Sequence, residues 1–145
     1  MSFPARRRDR PSEAPPPIRA SGSTSGIQTI NPNETKTVLT VNEPGQNLLL
    51  HCWTDTCQMR FQIICDGSNL RLPGSLFCTL DLYTDGYVAS TPGLSLLKYN
   101  ATDGYDNVFI ITFPFAWKQK LEIKATNPTL SARAAYASIN YMRFL

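Results

Sequence analysis

Residues 107–125 read NVFIITF, then PFAW, then KQKLEIKA, and the three pieces ask for three environments. The first is an apolar run of strand length, rich in Val, Ile and Phe, and is expected as a strand buried on both faces. Pro114 has no amide proton to give to a ladder, so it closes that strand or sits at a bulge. In the third piece Leu121, Ile123 and Ala125 alternate with Lys120, Glu122 and Lys124, the period of a strand with one dry and one wet face. Ile111 and Phe113 are expected in the interior, Phe115 and Trp117 over its open end, and Leu121 and Ile123 facing inward.

The same signals recur on either side. Residues 94–99 read as a strand, with Asp103-Gly104 as the turn that follows. Residues 36–41, 47–53, 58–65 and 69–72 also read as strands, with a tight-turn signal at Asp66-Gly67. Leu48, Leu49 and Leu50 in succession suggest burial on both faces. Met59, Phe61 and Ile63 alternate with Arg60 and Gln62, and Cys65 continues the apolar face into the core. Residues 75–83 fit a strand through Leu76, Cys78, Leu80 and Leu82, or a helical turn or two through Leu76, Leu80 and Tyr83 capped by Ser75; the helical reading is preferred. In 133–143, Ala135, Ala137, Ile139 and Tyr141 share one face, and Tyr136, Ser138, Asn140 and Met142 the other. About eight short strands with turn signals between them and no long helix define an all-β chain, read here as a single jelly-roll-like antiparallel β-sandwich.

Residues 1–26 follow different rules. The segment holds five of the 11 prolines and Arg6, Arg7, Arg8, Arg10 and Arg19 against Asp9 and Glu13. The rest of the chain is balanced, so the net charge of +3 resides in this leader. Such a segment cannot bury enough apolar surface to order itself. Pro15, Pro16 and Pro17 favour an extended polyproline conformation, and the SGSTSG of 21–26 reads as a flexible joint. The expected division is a basic, proline-rich arm over 1–26, disordered or extended, and a sandwich domain over 27–145. The arm suits an acidic protein surface or nucleic acid. The neutral body argues against a broad nucleic-acid-binding face, so nucleic acid is possible through the arm but not favoured.

Composition and motifs narrow the chemistry. A chain of 145 residues, 42% hydrophobic, suits one domain with one core. No apolar run approaches the roughly 20 residues of a membrane span, and no apolar stretch follows the N-terminal charges as in a secretory signal. Cys52, Cys57, Cys65 and Cys78 allow three pairings of two disulfides, but in a chain of this length they are expected as free, buried thiols. The acceptor patterns at Asn33 and Asn100 are read as chance without a secretory signal. His51 is the single histidine, and no nucleophile signature surrounds any serine or cysteine. A zinc site from His51, Cys52, Cys57 and Cys65 lacks a second close ligand pair, and His51 and Cys52 point to opposite faces of a strand. Asp66, Asp85 and Asp103 each precede glycine, which is turn chemistry, and Asp103 with Asp106 lacks the ligand density of a calcium loop. No catalytic residue, metal ligand or cofactor is therefore expected. Trp53, Tyr83, Tyr87, Tyr99, Tyr105 and Trp117 fit either a sugar-binding platform or simple core packing.

The segments Phe61-Gln-Ile-Ile-Cys-Asp66-Gly67, Phe113-Pro-Phe115, Leu121-Glu-Ile-Lys-Ala-Thr-Asn127 and Ile139-Asn-Tyr141 carry a resemblance. A strand ends in Asp-Gly, and a Pro-Phe corner precedes a strand of the form L-x-I. Over about residues 47–143 the chain resembles the jelly-roll modules of virus and phage structural proteins, and more weakly the jelly-roll domains of glycan-acting proteins. A basic, proline-rich arm on a neutral jelly roll is similar to viral capsid subunits and capsid cement proteins. The resemblance implies a non-enzymatic virion structural protein, a cement or decoration protein of a bacteriophage-like capsid. It implies a homo-oligomer, trimer favoured, anchored to the major capsid protein or another virion protein through Arg6, Arg7, Arg8, Arg10, Pro15, Pro16, Pro17 and Arg19. The expected location is the capsid surface, after assembly in the host cytoplasm, with no membrane partner. A vertex or penton subunit is a variant of that reading. The alternative is a carbohydrate-binding or host-recognition module, with Trp53, Tyr83, Tyr87, Tyr105 and Trp117 as glycan or interface aromatics.

Overall fold

In the computed structural model, which describes residues 19–70 and 77–144, the apolar alternations resolve into two antiparallel sheets. The front sheet runs β1 (Arg19–Ile30), β10 (Arg133–Phe144), β3 (Gly45–Thr54), β7 (Asn107–Ile111) and β6 (Leu94–Lys98), with the short β8 (Ala116–Trp117) pairing the start of β3. The back sheet runs β2 (Thr35–Val41), β9 (Leu121–Thr126), β4 (Arg60–Cys65) and β5 (Ser68–Asn69). Strands β1 to β4 alternate between the sheets, β10 returns between β1 and β3, and β9 returns between β2 and β4. That is jelly-roll winding. Between β5 and β6 the described residues form two short helices, α1 (Thr79–Thr84) and α2 (Tyr87–Ser90).

The core is the meeting of the two inner faces. Leu50, Phe109, Ile111, Ala135, Ala137 and Ile139 from the front sheet meet Leu39, Phe61, Ile63, Leu121, Ile123 and Ala125 from the back. Phe61 and Phe77 both stand edge-on to Phe109, with centroids 5.3 and 5.1 Å away, the arrangement aromatic quadrupoles prefer. Leu121 and Ile123 face inward and Phe115 and Trp117 are buried, as the sequence predicts.

Residues 107–113 depart from the expected double burial. The strand ends at Ile111, and its burial alternates, with Val108 and Ile110 half-buried on the outer face. Phe113 lies past the strand end and is half-buried. The corner is held by a residue the sequence reading did not single out. Asn47 is buried, its amide donates to the Phe115 carbonyl (2.8 Å), and its Nδ2 donates to the carbonyls of Ile111 and Phe113 (both 3.1 Å).

The three leucines are resolved by a bulge. Asn140 pairs with Leu49 and Tyr141 with Asn47, so Leu48 is the extra residue and is pushed outward to 42% exposure. Only Leu50 of the three is buried.

The expected joint at 21–26 is instead strand. β1 pairs with β10 in unbroken register from Arg19↔Phe144 to Ile30↔Arg133. Its glycines are sites of close approach rather than of freedom. A Cβ on Gly22 would lie 2.4 Å from the Tyr141 ring, and one on Gly26 would lie 1.9 Å from the Val38 carbonyl oxygen of β2.

The helical reading of 75–83 holds for its second half; Ser75, the expected cap, lies outside the described residues. Cys78 is the N-cap, and its Sγ accepts the Asp81 amide (3.4 Å). The return strand expected over 69–72 is seen as Ser68–Asn69, and 71–72 also lie outside the described residues.

Candidate interaction surface

Because side chains alternate, the register of the front sheet fixes what its outer face presents. One row runs Ile27, Tyr136, Trp53, Val108 and Lys98 across β1, β10, β3, β7 and β6. The next runs Ser25, Ser138, His51, Ile110 and Ser95. His51 meets the Tyr136 ring edge-on at 6.1 Å, while Cys52 is buried on the other face. The back sheet's outer face is mainly polar. Its rows are Thr35, Thr126 and Arg60, then Thr37, Lys124 and Gln62, then Thr40 and Glu122 beside Ile64 and Asn69. Arg60 is paired with Asp81, and Gln62 donates to Asn69 (2.8 Å). The two faces of the sandwich therefore differ in emphasis: the front carries Tyr136, Trp53, Val108 and Ile110 among polar residues, and the back is mainly threonine, Gln62 and charged side chains.

The aromatic residues singled out in the sequence are distributed over the front sheet, the two short helices and the loop before β7. Trp53 is half-buried on the front sheet, and its indole donates to Asp106 (2.9 Å). That bond, followed by the one from Lys98, holds the Asp106 carboxyl below its ordinary range. Tyr83 at the end of α1 is exposed and lies flat on Tyr99, with centroids 4.2 Å apart. Tyr105 is exposed on the loop before β7. Tyr87 opens α2. Trp117 is almost wholly buried between Phe115 and Tyr141, and its indole donates to the Glu43 carbonyl (2.6 Å). Of the arm residues, Arg19 opens β1 opposite Phe144. Arg6, Arg7, Arg8, Arg10, Pro15, Pro16 and Pro17 lie outside the described residues.

The acidic residues are engaged in holding loops. Asp103 accepts from Thr56 (2.6 Å) and lies 3.6 Å from Arg133, whose guanidinium also approaches Asp55. Asp66, at φ 52, accepts the amides of Lys118, Gln119 and Lys120 at 2.7–2.9 Å. These bonds, chiefly from Lys118 and then Lys120, hold its carboxyl below the ordinary range. Asn107 and Asn127 act likewise from the interior. Asn107 Nδ2 donates to the carbonyls of Asn100 and Tyr105, and Asn127 Nδ2 to those of Ile30 and Ser131. Sequence reasoning passed over all three buried asparagines; the available signal was a lone Asn at a strand end beside a turn.

The four cysteines are unbridged. Burial pushes the thiols of Cys52, Cys57 and Cys78 upward, and Cys65, half-buried rather than in the core, is pushed up to about 11 by burial and by Asp66. A raised thiol pKa opposes both nucleophilic and metal-ligand roles, which use the thiolate. Among the described residues no cluster of three His, Cys, Asp or Glu is placed to hold a metal ion.

One end of the front sheet forms an open groove of about 540 Å³, lined among the described residues by Pro44, Asp66, Ala116, Trp117, Lys118 and Phe144.

No family model matches the chain, and no curated protein matches it in sequence. A solved structure described as the cyanophage Pam1 capsid asymmetric unit is similar at 13% sequence identity and a TM-score of 0.41, over 94% of this chain and 95% of that one.

Proposed function

We propose that the chain is a virion structural protein, a cement or decoration protein whose N-terminal segment anchors a self-associating jelly-roll body, as a trimer, to the capsid shell. The observation that supports this reading is where the charge lies along the sequence relative to Arg19, at which β1 opens. Ahead of it stand Arg6, Arg7, Arg8 and Arg10 and three consecutive prolines. Behind it stands a closed sandwich whose described carboxylates are largely occupied in holding its own loops. The anchoring logic is avidity. Several arms carried on one oligomer act as linked weak binders, so the assembly binds far more tightly than one arm. Each arm meets the cost of ordering as it docks.

The test uses the full chain with Arg6→Ser, Arg7→Ser, Arg8→Ser and Arg10→Ser combined. Melting temperature and circular dichroism should match wild type, while occupancy on capsids of the virus that encodes the protein should fall at least tenfold. Wild-type occupancy should also fall as salt is raised, since exposed charge pairs are screened. Full occupancy by the variant overturns the anchoring role.

A further inference from the structure

At one end of the front sheet four chain segments lie side by side. Arg19 of β1 pairs with Phe144 of β10, and the Phe144 amide reaches the Pro44 carbonyl just before β3 (3.4 Å). Gly45 and Gln46 of β3 then pair with Trp117 and Ala116 of β8. The 540 Å³ groove crosses these ends. Its lining is a proline, a small residue, Phe144, the nearly buried Trp117 and Lys118, and its one carboxylate, Asp66, is already turned to three backbone amides.

We propose that this groove is the seat of the chain's own residues Pro15, Pro16, Pro17 and Ile18. The first argument is position: β1 begins at Arg19 opposite Phe144, and Phe144 lines the groove, so the segment proposed for the seat has only to continue from that end of β1. The second is reach. From β1 to β8 the row spans three strand spacings, roughly 14 Å. Four residues in the polyproline conformation cover about 12 Å. The third is chemistry. Prolines carry no amide proton and so need no acceptor from an apolar wall. Their preset backbone loses little entropy on docking, and aromatic and proline surfaces are what such segments pack against. Seated there, the prolines fix the direction in which Arg6, Arg7, Arg8 and Arg10 leave the body. The seat requires no shell, so it stands or falls separately from the anchoring role.

The experiment is nuclear Overhauser spectroscopy on the isotopically labelled full chain. Cross-peaks are expected between the ring protons of Pro15, Pro16 and Pro17 and those of Trp117 and Phe144. They should vanish in Ala116→Arg, which fills the groove from an exposed position. Absence of the cross-peaks in wild type, or their persistence in a folded Ala116→Arg, overturns the proposal. So does a mixed labelled and unlabelled sample in which the cross-peaks arise between chains, because a neighbour then occupies the seat. A second variant, Pro15→Ser, Pro16→Ser and Pro17→Ser combined, leaves the body untouched and should shift the Trp117 indole signal. An unmoved signal overturns the proposal independently.

Discussion

Gly26→Ala separates two physical pictures of β1 by sign. If residues 21–26 were a flexible joint, alanine would stabilise the protein by about 0.4–1 kcal/mol, by reducing the freedom of the unfolded chain. In the sandwich the new Cβ meets the Val38 carbonyl oxygen at 1.9 Å and its carbon at 3.0 Å. The atoms in the way are backbone, so β2 itself has to shift, by more than an ångström, to reach ordinary contact. Overpacking of this kind costs about 1–3 kcal/mol, occasionally more. The clash exceeds the entropic gain, and the net effect is a loss of about 1–2 kcal/mol, or roughly 4–8 °C in Tm at about 4 °C per kcal/mol for a domain of this size. Ser25→Ala, on the exposed side of the same strand, is the control and should move Tm by less than about 2 °C. Thermal melts by circular dichroism, with urea midpoints as a second measure, read both. A Gly26→Ala protein as stable as wild type, or more so, refutes the close approach of β1 to β2.

Phe109→Ala removes the ring that Phe61 and Phe77 both contact and should cost about 3–5 kcal/mol in urea unfolding, against a total of about 5–15 kcal/mol; Phe113→Ala, half-buried, should cost clearly less, and equal losses would mean the 111–115 corner is packed differently. Asp66→Asn keeps the shape and the left-handed backbone but removes the charge. Because the folded carboxyl titrates below its ordinary range, the wild-type advantage should be fully present above about pH 5 and shrink as pH falls through the ordinary value near 3.9 and the lowered folded value; urea midpoints that keep a constant gap from pH 7 to pH 2 would rule out the three-amide clamp. After denaturation without reductant all four cysteines should alkylate, whereas in the native protein at pH 8 Cys52 should stay unmodified and half-buried Cys65 should react first among the β-strand thiols; a mass lacking two alkyl groups would reveal a bridge.

What was legible in the sequence was whatever burial imposes through alternation. Leu121, Ile123 and Ala125, and Ala135, Ala137, Ile139 and Tyr141, are buried in phase because one side of each strand must be dry. β1 gave no such signal. Its inner face meets Tyr141 and the β2 backbone so closely that glycine is required, and the Ser/Gly/Thr composition that results imitates a linker. The outer face of the front sheet misled in the opposite direction, since Val108 and Ile110 lie on it and make a one-sided strand look two-sided. Leu48 was misread because a bulge is a property of a strand pair, invisible in either strand alone. Among the site residues, the exposure of Tyr83 and Tyr105 and the burial of Trp117 depend on tertiary position rather than residue type.

The return of β10 to a place between β1 and β3 makes order of synthesis matter. β1 leaves the ribosome early, yet its ladder partner follows by more than a hundred residues, and β3 too waits for the same strand. Loops of that length must close before their contacts reward them, so folding should fall in the slow range typical of non-local β topologies. In the interval the edges of β1 and β3 stand unpaired, and the chain is at its most open to association with its neighbours. The moment of greatest hazard on the folding path is thus the wait for β10, which acts as a timed closure for both β1 and β3.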